Sequence, residues 1–165
     1  MVVIVMGVSG VGKTTVGQRL AAALGWRFQD ADALHPPGNI AKMAAGTPLT
    51  DEDRAPWLAR LREVIQRALE SGESLVLACS ALKRAYRERL TVDMARQRWV
   101  YLSAPRDVIA RRLAERRGHY MPATLLDSQL AALEAPEGAL TVDVSAEPDT
   151  VVDTVLRGLG LQRSS

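Results

Sequence analysis

The sequence of 165 residues has one cysteine, no long apolar run and little net charge. With Cys79 alone an internal disulfide is impossible, and a lone thiol fits a reducing cytoplasm. No apolar run approaches the roughly 18 residues that a membrane span needs, and residues 1–6 lack the basic leader of a signal peptide. A net charge of +2 is too weak to indicate nucleic acid. We therefore expect a cytoplasmic protein that binds neither a membrane nor nucleic acid.

The composition is typical of one soluble globular domain. Hydrophobic residues make up 47% and charged residues 24%, which argues against disorder, collagen and coiled coil. The length fits a single domain spanning residues 1–165. Lysine occurs three times and arginine eighteen times. Because the planar fork of arginine matches phosphate and carboxylate groups, this bias favours a surface that meets an anion, although solvated helix faces would also account for it.

Short apolar segments alternate with helical periodicity along the chain. The strands are predicted at residues 2–6, 26–30, 74–79, 99–102 and 140–144. The helices are predicted at residues 13–24, 40–45, 81–90 with Ser80 as its cap, 105–117 and 148–159, and the longest runs to Gly72 from a cap at Thr50 or Asp53. Nearly continuous apolar strands predict an α/β fold with a parallel sheet covered by helices on both faces.

The first predicted strand is followed by a segment that fits the phosphate-loop pattern G-x-x-x-x-G-K-[ST]. Glycines let the backbone curl so that its N–H groups point at phosphate oxygens, and the following helix adds its positive end. The lysine reaches the β- and γ-phosphates, and the hydroxyl ligates Mg²⁺. The predicted nucleotide-binding residues are Gly7, Val8, Ser9, Gly10, Val11, Gly12, Lys13 and Thr14.

A phosphate loop serves GTPases, motor ATPases and small-molecule kinases alike. A GTPase needs a guanine-reading Asn/Thr-Lys-x-Asp segment, and none of Lys13, Lys42 and Lys83 is followed by an aspartate at that spacing. A motor is normally longer. The sequence therefore favours a small-molecule kinase that uses ATP.

Two carboxylates, Asp30 and Asp32, come directly after the second predicted strand. In a doubly wound sheet such a strand end borders the phosphate loop. One carboxylate would hold Mg²⁺ through water, and the other would accept the proton of an attacking hydroxyl. The alternative is a pair of turn aspartates. His35, nearby, is a candidate substrate contact, although a lone histidine in a proline-rich turn is more often structural.

Two groups of cations lie outside the phosphate loop. Arg54 sits near the start of the longest helix, where the helix dipole disfavours a cation, so it binds either an anionic ligand or, alternatively, Asp51 or Asp53. Lys83 and Arg87 are four residues apart, which places them on one helix face. They form either a second anion clamp or a solvated surface.

A third basic cluster spans residues 111–121. Arg112 and Arg116 share a helix face, and Gly118 permits a hinge. The pattern predicts a mobile helical lid, at about residues 112–135, that brings guanidinium groups onto the triphosphate and excludes water. The alternative is a charged surface helix that ends at a glycine.

Beyond the phosphate loop, the chain resembles the gluconokinases of the small P-loop kind over residues 2–144. The longest matching segments are D-A-D-A-L-H-P at 30–36, D-E-D-R-A-P-W-L at 51–58, C-S-A-L-K at 79–83 and H-Y-M at 119–121. Shorter matches are Asn39, 42–43, Gly46, 48–49, 86–87, 125–126, 128–129 and 133–134. Ala31 departs mildly from the pattern, because glycine is common there.

The resemblance implies phosphorylation of D-gluconate on its 6-hydroxyl by ATP and Mg²⁺, in a homodimer with a five-stranded parallel sheet. It places Asp32 as the base, with Lys13 and Arg116 also catalytic. The implied ligand residues are Thr14 and Asp30 for Mg²⁺, Arg112 and Arg116 for ATP, and Asp32, His35, Arg54, Lys83, Arg87 and His119 for gluconate. Two alternatives remain open: a related kinase for shikimate or a nucleoside monophosphate, and a nucleotide-binding regulator without turnover.

Overall fold

The computed structural model describes residues 1–115 and 123–165. Within these ranges five parallel strands form one sheet in the order β2-β3-β1-β4-β5. The strands are β1 (Val2–Met6), β2 (Arg27–Asp30), β3 (Leu75–Ala78), β4 (Gln97–Ser103) and β5 (Leu140–Asp143). The predicted α/β class and the five-stranded parallel sheet are confirmed.

The described ranges contain seven α-helices. They are α1 (Lys13–Leu24), α2 (Pro37–Ala44), α3 (Asp51–Ser71), α4 (Arg84–Leu90), α5 (Arg106–Glu115), α6 (Ala123–Ala132) and α7 (Pro148–Leu159). All of them except α2 cover the two faces of the sheet. A 3-10 turn, Ala31–Leu34, follows β2. None of the helices in the described ranges combines the length and the apolar character that a membrane crossing requires.

Alternating residues of the strands pack into two separate hydrophobic cores, one on each face of the sheet. In β1, Val3 and Val5 face the core formed with α1, α5, α6 and α7. Val2, Ile4 and Met6 face the other core, which α3 and α4 complete. Because both faces are buried, the strand is apolar at every position, as the sequence pattern predicts.

The start of α3 is fixed by a capping box. The Thr50 hydroxyl accepts a hydrogen bond from the Asp53 N–H at 3.1 Å, and the Asp53 carboxylate accepts one from the Thr50 N–H at 2.9 Å. Of the two predicted caps, Thr50 is therefore confirmed. Pro56 lies inside the helix without ending it.

The predicted helix start at residue 81 is wrong. Ala81 has a φ of 44°, a left-handed conformation that no helix continues through, and α4 begins at Arg84 with Lys83 as its cap residue. Smaller differences have local causes. Trp26 does not join β2 because its N–H closes the end of α1 on the Ala21 carbonyl, and α2 begins at Pro37, earlier than predicted.

The strand order places a crevice at the carboxyl ends of the strands. The chain moves to one side of β1 for β2 and β3, and to the other side for β4 and β5. The connections that leave β1 and β3 therefore diverge above the carboxyl ends of the strands, where ligands bind in open α/β sheets. The phosphate loop follows β1 at these carboxyl ends, and the Asp30–Asp32 pair lies where β2 ends.

Candidate active site

The phosphate loop, residues 7–12, packs so closely against its neighbours that two of its positions require glycine. Gly7 has a φ of +151°, and a Cβ there would lie 2.7 Å from the Leu102 carbonyl oxygen of β4. Gly10 has a φ of +91°, and its Cβ would lie 2.7 Å from the Leu113 side chain of α5. Positive φ and close contact both exclude larger residues, so the loop is seated on β4 and α5.

Two polar side chains engage the loop. The Lys13 ammonium donates to the carbonyls of Gly7 and Val8 at 2.9 and 3.1 Å, which holds it above the loop. From α6, the Gln129 side-chain oxygen accepts a hydrogen bond from the Ser9 N–H at 2.8 Å, and its nitrogen lies 3.2 Å from the Ser9 hydroxyl. Gln129 is a functional candidate to which sequence reasoning assigned no role, because only the fold brings it within reach of a loop 120 positions away.

The predicted metal-binding residues lie side by side. The Thr14 hydroxyl donates to Asp30 Oδ2 at 3.1 Å, and Asp30 Oδ1 accepts from the Asp32 N–H at 2.9 Å. Asp30 thereby caps the 3-10 turn and fixes its own carboxylate at the start of α1. Hydroxyl and carboxylate oxygens are the ligands that Mg²⁺ prefers, together with substrate phosphates. This pair of oxygens fits such an ion.

A cavity of about 250 Å³ joins the phosphate loop to these carboxylates. The structure brings eight predicted site residues to this one place, namely Ser9, Gly10, Gly12, Lys13, Thr14, Asp30, Asp32 and Arg112. A neighbouring cavity of about 330 Å³ shares Gly12, Thr15 and Arg112 with it and is otherwise lined mainly by residues 144–148 after β5. This second cavity was not predicted from the sequence, although it lies at the carboxyl end of a predicted strand.

Cys79 lines the cavity of about 250 Å³ and belongs to the core. Its thiol is buried, and burial raises its pKa to about 12. The side chain is therefore a neutral, small apolar group at neutral pH, which excludes a thiolate role.

Arg54 and Lys83 converge on the ring of Tyr86. The Arg54 guanidinium carbon lies 5.5 Å from the ring centroid and Lys83 Nζ lies 5.8 Å from it. Arg54 Nη1 donates to the Leu49 carbonyl at 2.8 Å and lies 3.4 Å from the Tyr86 hydroxyl. The two cations that were predicted to bind an anion therefore share one surface.

Carboxylates near this surface are held by groups other than Arg54. The Tyr86 hydroxyl donates to Asp51 at 2.6 Å, and this bond, with Lys83 nearby, lowers the pKa of Asp51. Lys42 donates to both oxygens of Asp53 and is the largest cause that lowers its pKa to about 2. Arg54 is accordingly not the salt-bridge partner of either aspartate. From the sequence, Asp51 was named only as an alternative partner of Arg54 and Tyr86 had no role, although both lie beside Arg54 and Lys83.

Arg87 does not join Lys83 in a clamp. Its guanidinium donates to the carbonyls of Ala81, Leu82 and Glu134 at 2.8, 3.2 and 2.8 Å, and burial lowers its pKa. The side chain faces a separate groove near the amino ends of β4 and β5. Its donors hold the Ala81 turn and the segment after α6, which is a structural role. The contact of Arg87 with substrate stays a prediction.

Only the flanks of the predicted lid are described. On α6, Asp127 accepts two hydrogen bonds from Arg106 at 2.6 and 3.0 Å, and Leu126 is fully buried. Arg116 and His119, predicted for catalysis and for gluconate, lie outside the described residues. The mobility of residues 112–135 stays a prediction.

The sequence is similar to those of known proteins over most of its length. A family profile described as an AAA domain matches residues 2–136. A protein named gluconokinase from Gluconobacter oxydans is 50% identical over 93% of this chain and 88% of its own. The thermosensitive gluconokinase of Escherichia coli is 44% identical over 81% of this chain and 72% of its own.

The fold is also similar to those of solved structures over most of the chain. A gluconokinase structure from Sinorhizobium meliloti superposes with a TM-score of 0.87 at 45% identity, covering 96% of this chain and 90% of its own. Shikimate kinase from Aquifex aeolicus superposes with a TM-score of 0.61 at 20% identity, covering 97% and 96% of the two chains, which shows a shared fold alone.

Replacing Arg87 should weaken the fold. Arg87→Ala leaves three carbonyls without their donor, so we expect the free energy of unfolding to fall by about 1–3 kcal/mol. Urea denaturation measures the change, and Arg84→Ala, an exposed arginine of the same helix, is the control and should change it by less than about 0.5 kcal/mol. A stability equal to that of the control would refute the structural role.

Proposed function

This chain belongs to the gluconokinase family of P-loop kinases, and we propose that it transfers the γ-phosphoryl group of ATP to the 6-hydroxyl of D-gluconate, giving 6-phospho-D-gluconate and ADP. The observation that carries the proposal is the arrangement at the carboxyl edge of the sheet. A phosphate loop, a hydroxyl–carboxylate pair and a second carboxylate line one cavity. Arg54 and Lys83 form a cationic surface for an acidic acceptor.

ATP binds with its phosphates on the loop after β1. The loop N–H groups and the start of α1 supply donors and a positive dipole end, and Lys13 adds a cation for the β- and γ-phosphates. Arg112 lines both the phosphate cavity and the cavity beside residues 144–148. It is therefore suited to contact the nucleotide where the two cavities meet.

Thr14 and Asp30 would hold Mg²⁺, the threonine directly and the aspartate through water. The ion supplies positive charge that neutralises the phosphate oxygens during transfer. The hydrogen bond between Thr14 and Asp30 shows that their oxygens already lie close together, and the bond from the Asp32 N–H orients the Asp30 carboxylate.

Gluconate carries a carboxylate at one end and a hydroxyl to be phosphorylated at the other. Arg54 and Lys83 bind the carboxylate, because both present cationic groups beside the ring of Tyr86. The 6-hydroxyl then lies near Asp32, which accepts its proton as the new bond to phosphorus forms. Transfer needs little covalent help from the protein, so these residues act mainly by positioning and by charge.

An acceptor panel tests the proposal. ADP release with ATP and Mg²⁺ should depend on D-gluconate and fall sharply with shikimate, with nucleoside monophosphates and with glucose, which lacks the carboxylate. Turnover with another acceptor and none with gluconate would identify a related kinase instead. ATP binding without turnover on any acceptor would identify a regulatory protein.

Two further properties stay predictions. The family resemblance implies a homodimer, and the single buried thiol fits a reducing cytoplasm.

The base is tested by Asp32→Asn. Asparagine keeps the shape but does not accept the proton, so we expect kcat to fall about 10²–10⁴-fold with little change in the KM for ATP. The control is Asp107→Asn, an exposed carboxylate in the first turn of α5, which should keep normal kinetics. Normal turnover by Asp32→Asn would show that Asp32 is not the base.

The carboxylate site is tested by Arg54→Ala. Loss of a charged hydrogen-bond donor should raise the KM for gluconate about tenfold or more, with the KM for ATP little changed. Arg54→Lys should restore binding only in part, because lysine lacks the bidentate fork. Arg67→Ala, on an exposed face of the same helix, is the control. If both Arg54 variants bind gluconate normally, another residue binds the carboxylate.

A further inference from the structure

His35 is held in place by an aromatic partner, Trp57, and a polar partner, Asn39. It is 7% exposed, and its ring stacks on Trp57 with centroids 4.3 Å apart and planes 13° apart. The Trp57 indole N–H donates to the Ala31 carbonyl at 2.7 Å, so the stacking partner is itself fixed. The imidazole therefore has one orientation.

The hydrogen bonds of Asn39 determine which ring nitrogen carries the proton. Asn39 Nδ2 lies 2.8 Å from the Asp53 carbonyl oxygen and 3.1 Å from His35 Nδ1. A carbonyl oxygen only accepts, so the atom between them is the amide nitrogen, which donates to both. His35 Nδ1 is consequently an acceptor without a proton, and the proton of the neutral ring sits on Nε2.

The protonated nitrogen faces Asp32. His35 Nε2 lies 3.9 Å from Asp32 Oδ1. The Asp32 side chain is 74% exposed, so its carboxylate is able to rotate and close this distance to a hydrogen bond. The ring, by contrast, is held by Trp57 and Asn39 and has no such freedom.

We propose that His35, locked by Asn39 in the tautomer protonated on Nε2, is a positioning residue for Asp32: it binds one carboxylate oxygen and leaves the other turned to the acceptor hydroxyl. The proposal rests on the proposed function, in which Asp32 is the base. It assigns His35 a role through Asp32 in place of the direct contact with gluconate expected from the sequence.

The surroundings keep the imidazole neutral. Burial lowers the pKa of His35, the nearby Arg54 guanidinium lowers it further, and Asp32 partly opposes both. A second proton on Nδ1 would also break the hydrogen bond from Asn39. The ring thus serves as a neutral donor of fixed direction, as an orienting group requires.

Two substitutions separate positioning from packing. His35→Phe keeps an aromatic ring for Trp57 but has no N–H, whereas His35→Gln loses the stacking and keeps an amide N–H near the position of Nε2. We expect His35→Phe to lower kcat roughly tenfold or more, the effect of one lost hydrogen bond to a charged group. His35→Gln should stay within about threefold of wild type. A structural role predicts the reverse order.

A double-mutant cycle with Asp32→Asn tests whether His35 acts through Asp32. In the Asp32→Asn background, His35→Phe should cause little further loss of kcat, because the group that it positions is already gone. Equal losses in both backgrounds would overturn the proposal. So would unchanged kcat with a raised KM for gluconate, which would make His35 a direct substrate ligand.

The tautomer is measured independently of activity. The chain has two histidines, and the ¹⁵N NMR spectrum of His35→Phe identifies the resonances of His35 by their loss. Wild type should show an unprotonated Nδ1 and a protonated Nε2. A protonated Nδ1 overturns the proposal whatever the acceptor. If the panel rejects gluconate, the proposed function fails separately, and the cycle is run with the acceptor that the panel identifies.

Discussion

The close packing of the phosphate loop against the sheet is the constraint on which the site depends. Gly7 lies against the backbone of β4 and Gly10 against α5, so the loop has one path, and α1 must start at Lys13. That start brings Thr14 to Asp30 at the end of β2. The nucleotide residues and the two carboxylates thus take their places from buried parallel strands, the rigid part of the molecule.

The acceptor side is built differently, from paired polar groups on helices and turns. Among the described residues, no buried side-chain nitrogen or oxygen lacks a hydrogen-bond partner. Asn39 links His35 to the backbone of α3, and Tyr86 links Asp51 to the surface shared by Arg54 and Lys83. Such satisfied networks fix side-chain directions, and in the proposed function these directed side chains position the acceptor.

Local signals predicted much of this molecule, and long-range contacts account for what they missed. The glycines at the two ends of α1 predict where this helix begins and ends, and an unbroken apolar run predicts β1. The left-handed Ala81 carries no such signal, since its carbonyl is held by Arg87. Spacing alone therefore placed Arg87 in a clamp, and Gln129 had no role because its contact with Ser9 exists only in the folded chain.

Phosphorus–proton correlation NMR of the product tests the central claim most directly. With ATP, Mg²⁺ and D-gluconate, the account predicts one new phosphomonoester whose phosphorus couples to the two protons on carbon 6. Those protons mark transfer to the hydroxyl farthest from the carboxylate, as required when cations hold one end of the acceptor and Asp32 meets the other. Coupling to a proton on any other carbon, or inorganic phosphate as the only phosphorus product besides ADP, would contradict it.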